Sequence, residues 1–135
     1  MADFKIALNK TLQNEGKYVN DPSDSGGETY CGISRKNFPK WEGWIIIDSY
    51  SRINFPKCLD QDTKLQGLVS DFYYHNFWLA AGCDKLNNQE IANHLFDSAV
   101  NMGIKPAVKL VQESLFTTVT GVLDKTTIEK LNQLS

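Results

Sequence analysis

Positive charge is not in excess in this chain. Fourteen Lys and Arg stand against sixteen Asp and Glu, giving a net charge of −2 and a pI near 5.6. That balance argues against a nucleic-acid-binding domain, whose affinity rests on a basic patch. Long hydrophobic runs are also missing. None approaches the ~18 apolar residues a membrane-spanning helix needs, so no membrane insertion is expected. The N-terminus, Met1 to Lys5, shows no basic segment followed by an apolar one, so we expect synthesis in the cytoplasm without a signal peptide. Cysteine is scarce and odd in number. Cys31, Cys58 and Cys83 contain no close pair, which excludes a disulfide framework and a tetrahedral zinc site. The two histidines, His75 and His94, are too far apart for a local ligand pair, so neither a metal nor another cofactor is implied. A nucleophilic Cys31 served by one of them is a minor alternative, since lone cysteines usually behave as small buried hydrophobes. Period-two alternation is absent too, so a large sheet is not expected.

What is present is helical periodicity. At 135 residues and 41% hydrophobic, the chain can bury one core but is too short for two independent domains. Phe4, Ala7, Leu8, Thr11 and Leu12 fall on one face of a helix predicted over 3–15. Ser34 is expected to cap a short helix reaching Phe38, ended by Pro39. Trp41 to Ile47 reads as an irregular packed segment leading into a helix near 48–54. From Asp62, the series Leu65, Leu68, Val69, Phe72 and Tyr73 predicts a second amphipathic helix. Asn87 and Glu90 have capping-box spacing for a helix over 88–101, with Ile91, Leu95, Phe96 and Ala99 inward. Pro106 opens the next helix, over 106–116, with Val108, Val111 and Leu115 inward. Gly121 marks a turn, and Asp124 caps a last helix over 125–134, docked by Ile128, Leu131 and Leu134. The expected fold is mainly α and lysozyme-like, in a single domain spanning 1–135, with a small β-hairpin or irregular loop after the first helix.

The most informative stretch lies directly after the first helix. From Glu15 to Thr29 the sequence packs four carboxylates and three glycines into fifteen residues. Gly16 suits the left-handed conformation that closes helices. Glu15 then stands at the negative end of the helix dipole, which disfavours its ionised form and suits it to donate a proton. A solvated last-turn glutamate is the bland alternative. Downstream, Asp97 and Asn101 lie one turn apart on an otherwise apolar helix face, where a buried polar group must find a partner. That partner is either backbone of an opposing loop or the hydroxyl and acetamido groups of a saccharide. Tyr73, Phe77 and Trp78 read first as core aromatics.

These residues carry a resemblance. Glu15-Gly16-Lys17-Tyr18, then Val19 to Asp24, Gly26-Gly27-Glu28-Thr29 and Gly32-Ile33, resemble the opening of the N-acetylmuramidases of glycoside hydrolase family 108. That family includes phage endolysins and secretion activator proteins. Tyr74 to Trp78, Leu95 to Gly103, Ala107 to Gln112 and Gly121 to Thr127 are similar to the family's C-terminal half, often labelled a peptidoglycan-binding module. Residues 35–70 match weakly. Two positions depart from the pattern. Lys17 replaces a second glycine and brings a cation close to Glu15, and Ser25 replaces a proline; neither removes a candidate catalytic group.

The resemblance implies a peptidoglycan hydrolase that cuts between N-acetylmuramic acid and N-acetylglucosamine. Residues 1–80 would form the catalytic half, with the active loop at 15–33, and 81–135 the module-like half. Glu15 is the candidate general acid. Phage-type lysozymes carry a Glu, Asp and Thr set at nearly the spacing of Glu15, Asp24 and Thr29. By that likeness Asp24 is the second carboxylate and Thr29 orients water, with Glu28 and Asp21 in reserve. Tyr18, Asn20, Glu28, Tyr74, Asp97 and Asn101 are the candidate substrate contacts. The implied partners are glycan strands of peptidoglycan, met by a monomer after release or translocation to the wall. A lytic transglycosylase and a non-catalytic wall-binding or secretion-accessory protein are the alternatives.

Overall fold

Helices form where the apolar period is strongest. A computed structural model describes residues 1–13, 17–20, 23, 27–51, 53 and 55–134. In chain order its helices are α1 (Phe4–Gln13), α2 (Gly43–Ser49), α3 (Thr63–Tyr73), α4 (Leu79–Ala81), α5 (Gln89–Met102), α6 (Ile104–Ser114) and α7 (Lys125–Gln133). The chain divides into two compact units, Met1–Thr11 with Phe72–Ser135, and Leu12–Asp71.

The first of these is helical. α1 presents Ala7, Leu8 and Thr11 inward, on the expected face. From the end of α3 the chain runs through a π-helical turn over Tyr74–Trp78, the short α4, and a 3₁₀ turn at Cys83–Lys85. α5, α6 and α7 complete the unit. The π turn advances the ring positions, so Tyr73 and Trp78 both reach the interior while Tyr74 stays half-buried. An aromatic cluster results: Phe4 stacks edge-on against Tyr74, at 5.1 Å, and Phe96, at 5.8 Å, and sits 5.5 Å from Trp78. The fully buried Phe96 contributes roughly 1.5–3 kcal/mol through burial, and the half-buried Phe4 and Tyr74 less.

Two helix starts instruct. The cap of α5 is Asn88, one residue later than the capping-box spacing suggests: its Oδ1 accepts from the Ile91 N–H at 3.0 Å. Asn87 instead uses its backbone N–H to meet Asn132 Oδ1. Asp124 caps α7 as expected, accepting from the Thr127 N–H at 2.9 Å. On α7, Leu131 and Thr127 are buried, but Leu134 is 63% exposed and does not dock as expected. Its position past the last full turn, at the C-cap, rotates it off the buried face.

The other unit contains a small antiparallel sheet, β1 (Tyr18–Asn20), β2 (Glu28–Tyr30) and β3 (Ile33–Ser34), in sequence order. β2 and β3 are joined through Cys31 and Gly32, both at positive φ (50° and 82°). That is the backbone a two-residue hairpin turn requires for its twist to match the strands. Ser34 therefore ends a strand and does not open a helix. It supports only one turn, taking the Asn37 N–H on its Oγ and the Phe38 N–H on its carbonyl. The aromatic and aliphatic run expected to be irregular is itself helical, as α2, and the helix expected near 48–54 is only the end of it: α2 stops at Ser49, and Ser51 and Ile53 lie outside any helix. Trp44 and Ile47 point inward while Ile45 faces solvent. Gly43 is required at the helix start, because a Cβ there would run into the Trp41 ring. Most of α3 also belongs to this unit, and Asp62 caps it, accepting from the Leu65 N–H at 2.9 Å.

Candidate active site

Glu15, Asp24 and the reserve Asp21 lie outside the described residues. In sequence Glu15 falls between α1 and β1, and Asp21 and Asp24 between β1 and β2; two polar networks hold those strands.

One network fixes β1 against β2 through Glu28. Its Oε2 accepts from the Tyr18 hydroxyl at 2.5 Å and its Oε1 from Arg35 Nη1 at 2.9 Å. Arg35 also forks onto Asp48, at 2.8 and 2.5 Å, and lies over the Trp44 ring at 5.1 Å from its centroid. These contacts to Asp48 and Glu28 hold the guanidinium firmly in its charged form. Glu28 thus has both oxygens engaged, and its side chain is 18% exposed. A carboxylate held this way positions its neighbours and is poorly placed to take up a reacting proton.

The second network anchors the start of β1. The buried Tyr30 hydroxyl donates to Asp60 Oδ1 at 3.0 Å and accepts from Gln66 Nε2 at 2.8 Å. Burial, first of all, pushes the pKa of that hydroxyl far above its ordinary value. Asp60 turns its other oxygen to the ammonium of Lys17, at 3.4 Å. The Lys17 side chain is 68% exposed, so this pair is worth at most ~1 kcal/mol. It nevertheless gives the lysine charge a carboxylate partner, and the Lys17 carbonyl also accepts from the Cys31 N–H.

Four candidate contacts come together on this sheet. Tyr18 and Glu28 are hydrogen-bonded, Asn20 pairs with Glu28 in the strand register, and Thr29 pairs with Val19 and Ser34. Side chains alternate along a strand, so Thr29 points away from the face that Glu28 and Tyr30 share. Thr29 is half-buried. A hydroxyl placed so can orient a water, while Glu28 braces the opposite face.

The remaining candidates lie in the helical unit. Asp97 accepts from the Thr11 hydroxyl at 3.1 Å on Oδ1 and from Asn101 Nδ2 at 3.2 Å on Oδ2. Asn101 also donates to the Asp97 carbonyl. Contrary to the expectation of a buried pair, Asn101 is exposed and finds its partner on its own helix. At about 100° per residue, Asn101 falls on the side of α5 opposite the buried Ala92, Leu95, Phe96 and Ala99. Tyr74 packs edge-on between Phe4 and His75.

Arg35 is the residue that sequence reasoning missed. The available signal was its place seven residues after Glu28 across a tight turn, but nothing local required the two side chains to meet. No group of three or more His, Cys, Asp or Glu suited to a metal occurs among the described residues. A groove of about 370 Å³ lies between α5, α6 and α7, lined by Ile91, Leu110, Val111, Leu115 and Leu131, with Glu90 and His94 among its polar residues. Its walls are mostly aliphatic and offer a glycan few hydrogen bonds, so the chemistry is not placed there.

No curated protein matches the chain. Among solved structures, SagA of Brucella abortus shares its fold at a TM-score of 0.68, with 24% identity over 98% of this chain and 70% of that one. The glycosyl hydrolase 108 family model matches residues 8–103, a span that holds every candidate from Glu15 to Asn101. The chain therefore belongs to the glycosyl hydrolase 108 family, glycoside hydrolases acting on a carbohydrate substrate.

Proposed function

We propose that this chain is a lysozyme-type peptidoglycan hydrolase, an N-acetylmuramidase cutting between N-acetylmuramic acid and N-acetylglucosamine. The observation that carries the reading is the family match, which includes the whole loop from Glu15 to Thr29. A glycosidic bond needs a proton on its leaving oxygen and a second group to activate water or to stabilise the oxocarbenium-like centre. In this reading Glu15 is the acid, Asp24 the second carboxylate and Thr29 the group that orients water. The two networks through Glu28 and Asp60 support the reading, because they hold the flanking strands rigid, as precise placement of two carboxylates demands. The wall, reached by release or translocation, is the proposed place of action.

The test is the clearing of a suspension of purified peptidoglycan, with products analysed by mass. Reducing muropeptides carrying one added water support a hydrolase. Products of 1,6-anhydro type would identify a lytic transglycosylase instead. Binding to sacculi without their solubilisation would identify a non-catalytic wall-binding protein.

A further inference from the structure

The end of α6 breaks a local rule. Leu115 is the C-cap, and the next residue closes the helix in the left-handed conformation. The Phe116 N–H reaches the Glu113 carbonyl at 3.2 Å and the Thr117 N–H reaches the Gln112 carbonyl at 3.1 Å. This is the paired closure in which glycine normally takes the left-handed position, because a side chain there is strained. Here the position is held by phenylalanine, at φ 55°. The ring gains no compensating burial: Phe116 is 95% exposed.

The segment that presents the ring is nonetheless tightly held. Gln112, fully buried, accepts from the backbone N–H groups of Thr120 and Gly121 at 2.9 and 3.0 Å. Its amide nitrogen donates to the Thr120 hydroxyl, the Val122 carbonyl and the Thr127 hydroxyl. The two N–H groups of the Gln112 amide, shared among three acceptors, and its carbonyl oxygen pin Thr120, Gly121 and Val122 and tie them to Thr127, so the segment after Phe116 is preorganised. A strained aromatic that the fold does not use, on a support the fold does maintain, points to a role outside folding. The neighbourhood names the ligand class. Residues 114–123 carry no charge, and Thr117 and Thr118 follow the ring directly in the chain, while the Ser114 and Thr120 hydroxyls are engaged by the Leu110 carbonyl and the Gln112 side chain. A neutral, solvent-facing aromatic ring suits a pyranose, whose axial C–H edges meet the electron-rich ring face.

We propose that Phe116 is a glycan-stacking residue, seating one sugar ring of the peptidoglycan strand. The residue lies beyond the span of the family match. The proposal rests on the muramidase reading for the identity of the strand. Its test uses the full chain with Phe116→Gly and Phe116→Trp. Three readouts are taken: thermal melting, sedimentation velocity, and lysis rate against peptidoglycan concentration. Phe116→Gly relieves the left-handed strain, so it should melt about 2–5 °C higher. It should also need about fivefold more peptidoglycan for half-maximal lysis, at an unchanged plateau rate. Phe116→Trp should restore the wild-type half-saturation point, and its added indole emission should shift with soluble glycan fragments. A better-folded protein with weaker substrate capture is a combination no structural role produces. Lower melting of Phe116→Gly would show that the ring packs in the fold and would overturn the proposal. An unchanged half-saturation point would do the same, as would a changed oligomeric state with glycan capture intact, which would make the ring a protein contact. In the last two cases wild-type lysis still upholds the muramidase reading; wild-type protein that neither binds nor clears peptidoglycan sinks both.

Discussion

A glutamate becomes a general acid only when its surroundings keep a proton on it, and the proposed acid is Glu15, which the sequence pattern alone puts at a helix end. Glu15→Gln preserves shape and removes the donor. Lysis should fall at least ~100-fold, with little change in melting temperature. Asp24→Asn should cut turnover more than Asp21→Asn, because Asp21 precedes a proline and reads as a turn former. Equal losses from the two aspartate variants would remove Asp24 from its role. Glu28 makes a contrasting case. Its two oxygens are bound by Tyr18 and Arg35, and Arg35 is shared with Asp48. Glu28→Gln should therefore act through the sheet, costing about 1–2 kcal/mol of stability. At temperatures where the variant stays folded, the plateau rate should hold within severalfold. A hundredfold loss of plateau rate in a well-folded Glu28→Gln protein would make Glu28 the second catalytic carboxylate.

At the scale of single elements, the caps give sharp expectations. Asn88 closes the start of α5 with its side chain and Asn87 does not, so Asn88→Ala should lower stability by ~1 kcal/mol in denaturant melts and Asn87→Ala by much less. The aspartate caps add a pH dependence. The Thr127 hydroxyl and N–H hold the Asp124 carboxyl below its ordinary 3.8, and the Tyr50 hydroxyl with the Leu65 N–H does the same for Asp62. A carboxyl whose folded pKa is depressed adds stability that is full above the unfolded value and is lost as pH falls through the folded one. The melting temperature should thus decline below roughly pH 4. The double variant Asp62→Asn with Asp124→Asn keeps a capping oxygen but cannot titrate, so its acid decline should be shallower. Identical acid limbs would show that other carboxylates control it. These elements also mark what the sequence made legible. α3, α5, α6 and α7 were readable because each repeats its apolar face over two or more turns. α2 was not, since its seven residues start at a glycine and show the period barely twice. The three strands hold two or three residues each, too few for alternation to register. The loop of the candidate site was legible as a motif, whereas Tyr30 meeting Gln66, thirty-six residues away, leaves no local trace.

For the whole molecule, the question is whether the C-terminal half completes the fold or is an appended module. The N-terminal eleven residues bear on it, because their partners lie far along the chain. The Ala2 N–H meets the Leu86 carbonyl at 2.9 Å, and the Asp3 backbone exchanges hydrogen bonds with the Gln89 side chain. Thr11 donates to Asp97, and Phe4 packs on Phe96. All four partners lie beyond residue 84. A fragment ending there keeps α1 and α3 but exposes the faces of Phe4, Tyr73 and Trp78 that Phe96 of α5 packs against. Small domains already bury a marginal fraction of their surface, and losing the cover of several large side chains exceeds the usual margin of about 5–15 kcal/mol. The fragment 1–84 should therefore be insoluble, or soluble with helical far-ultraviolet signal but no cooperative melt. The fragment 85–135 should be equally unable to melt cooperatively, since it lacks the aromatic residues that α5 packs against. Mixing the two should restore a cooperative transition if the missing cover is the only defect. A fragment 1–84 that melts sharply on its own would show that the N-terminal residues find sufficient partners without α5, and the C-terminal half would then be a separable module.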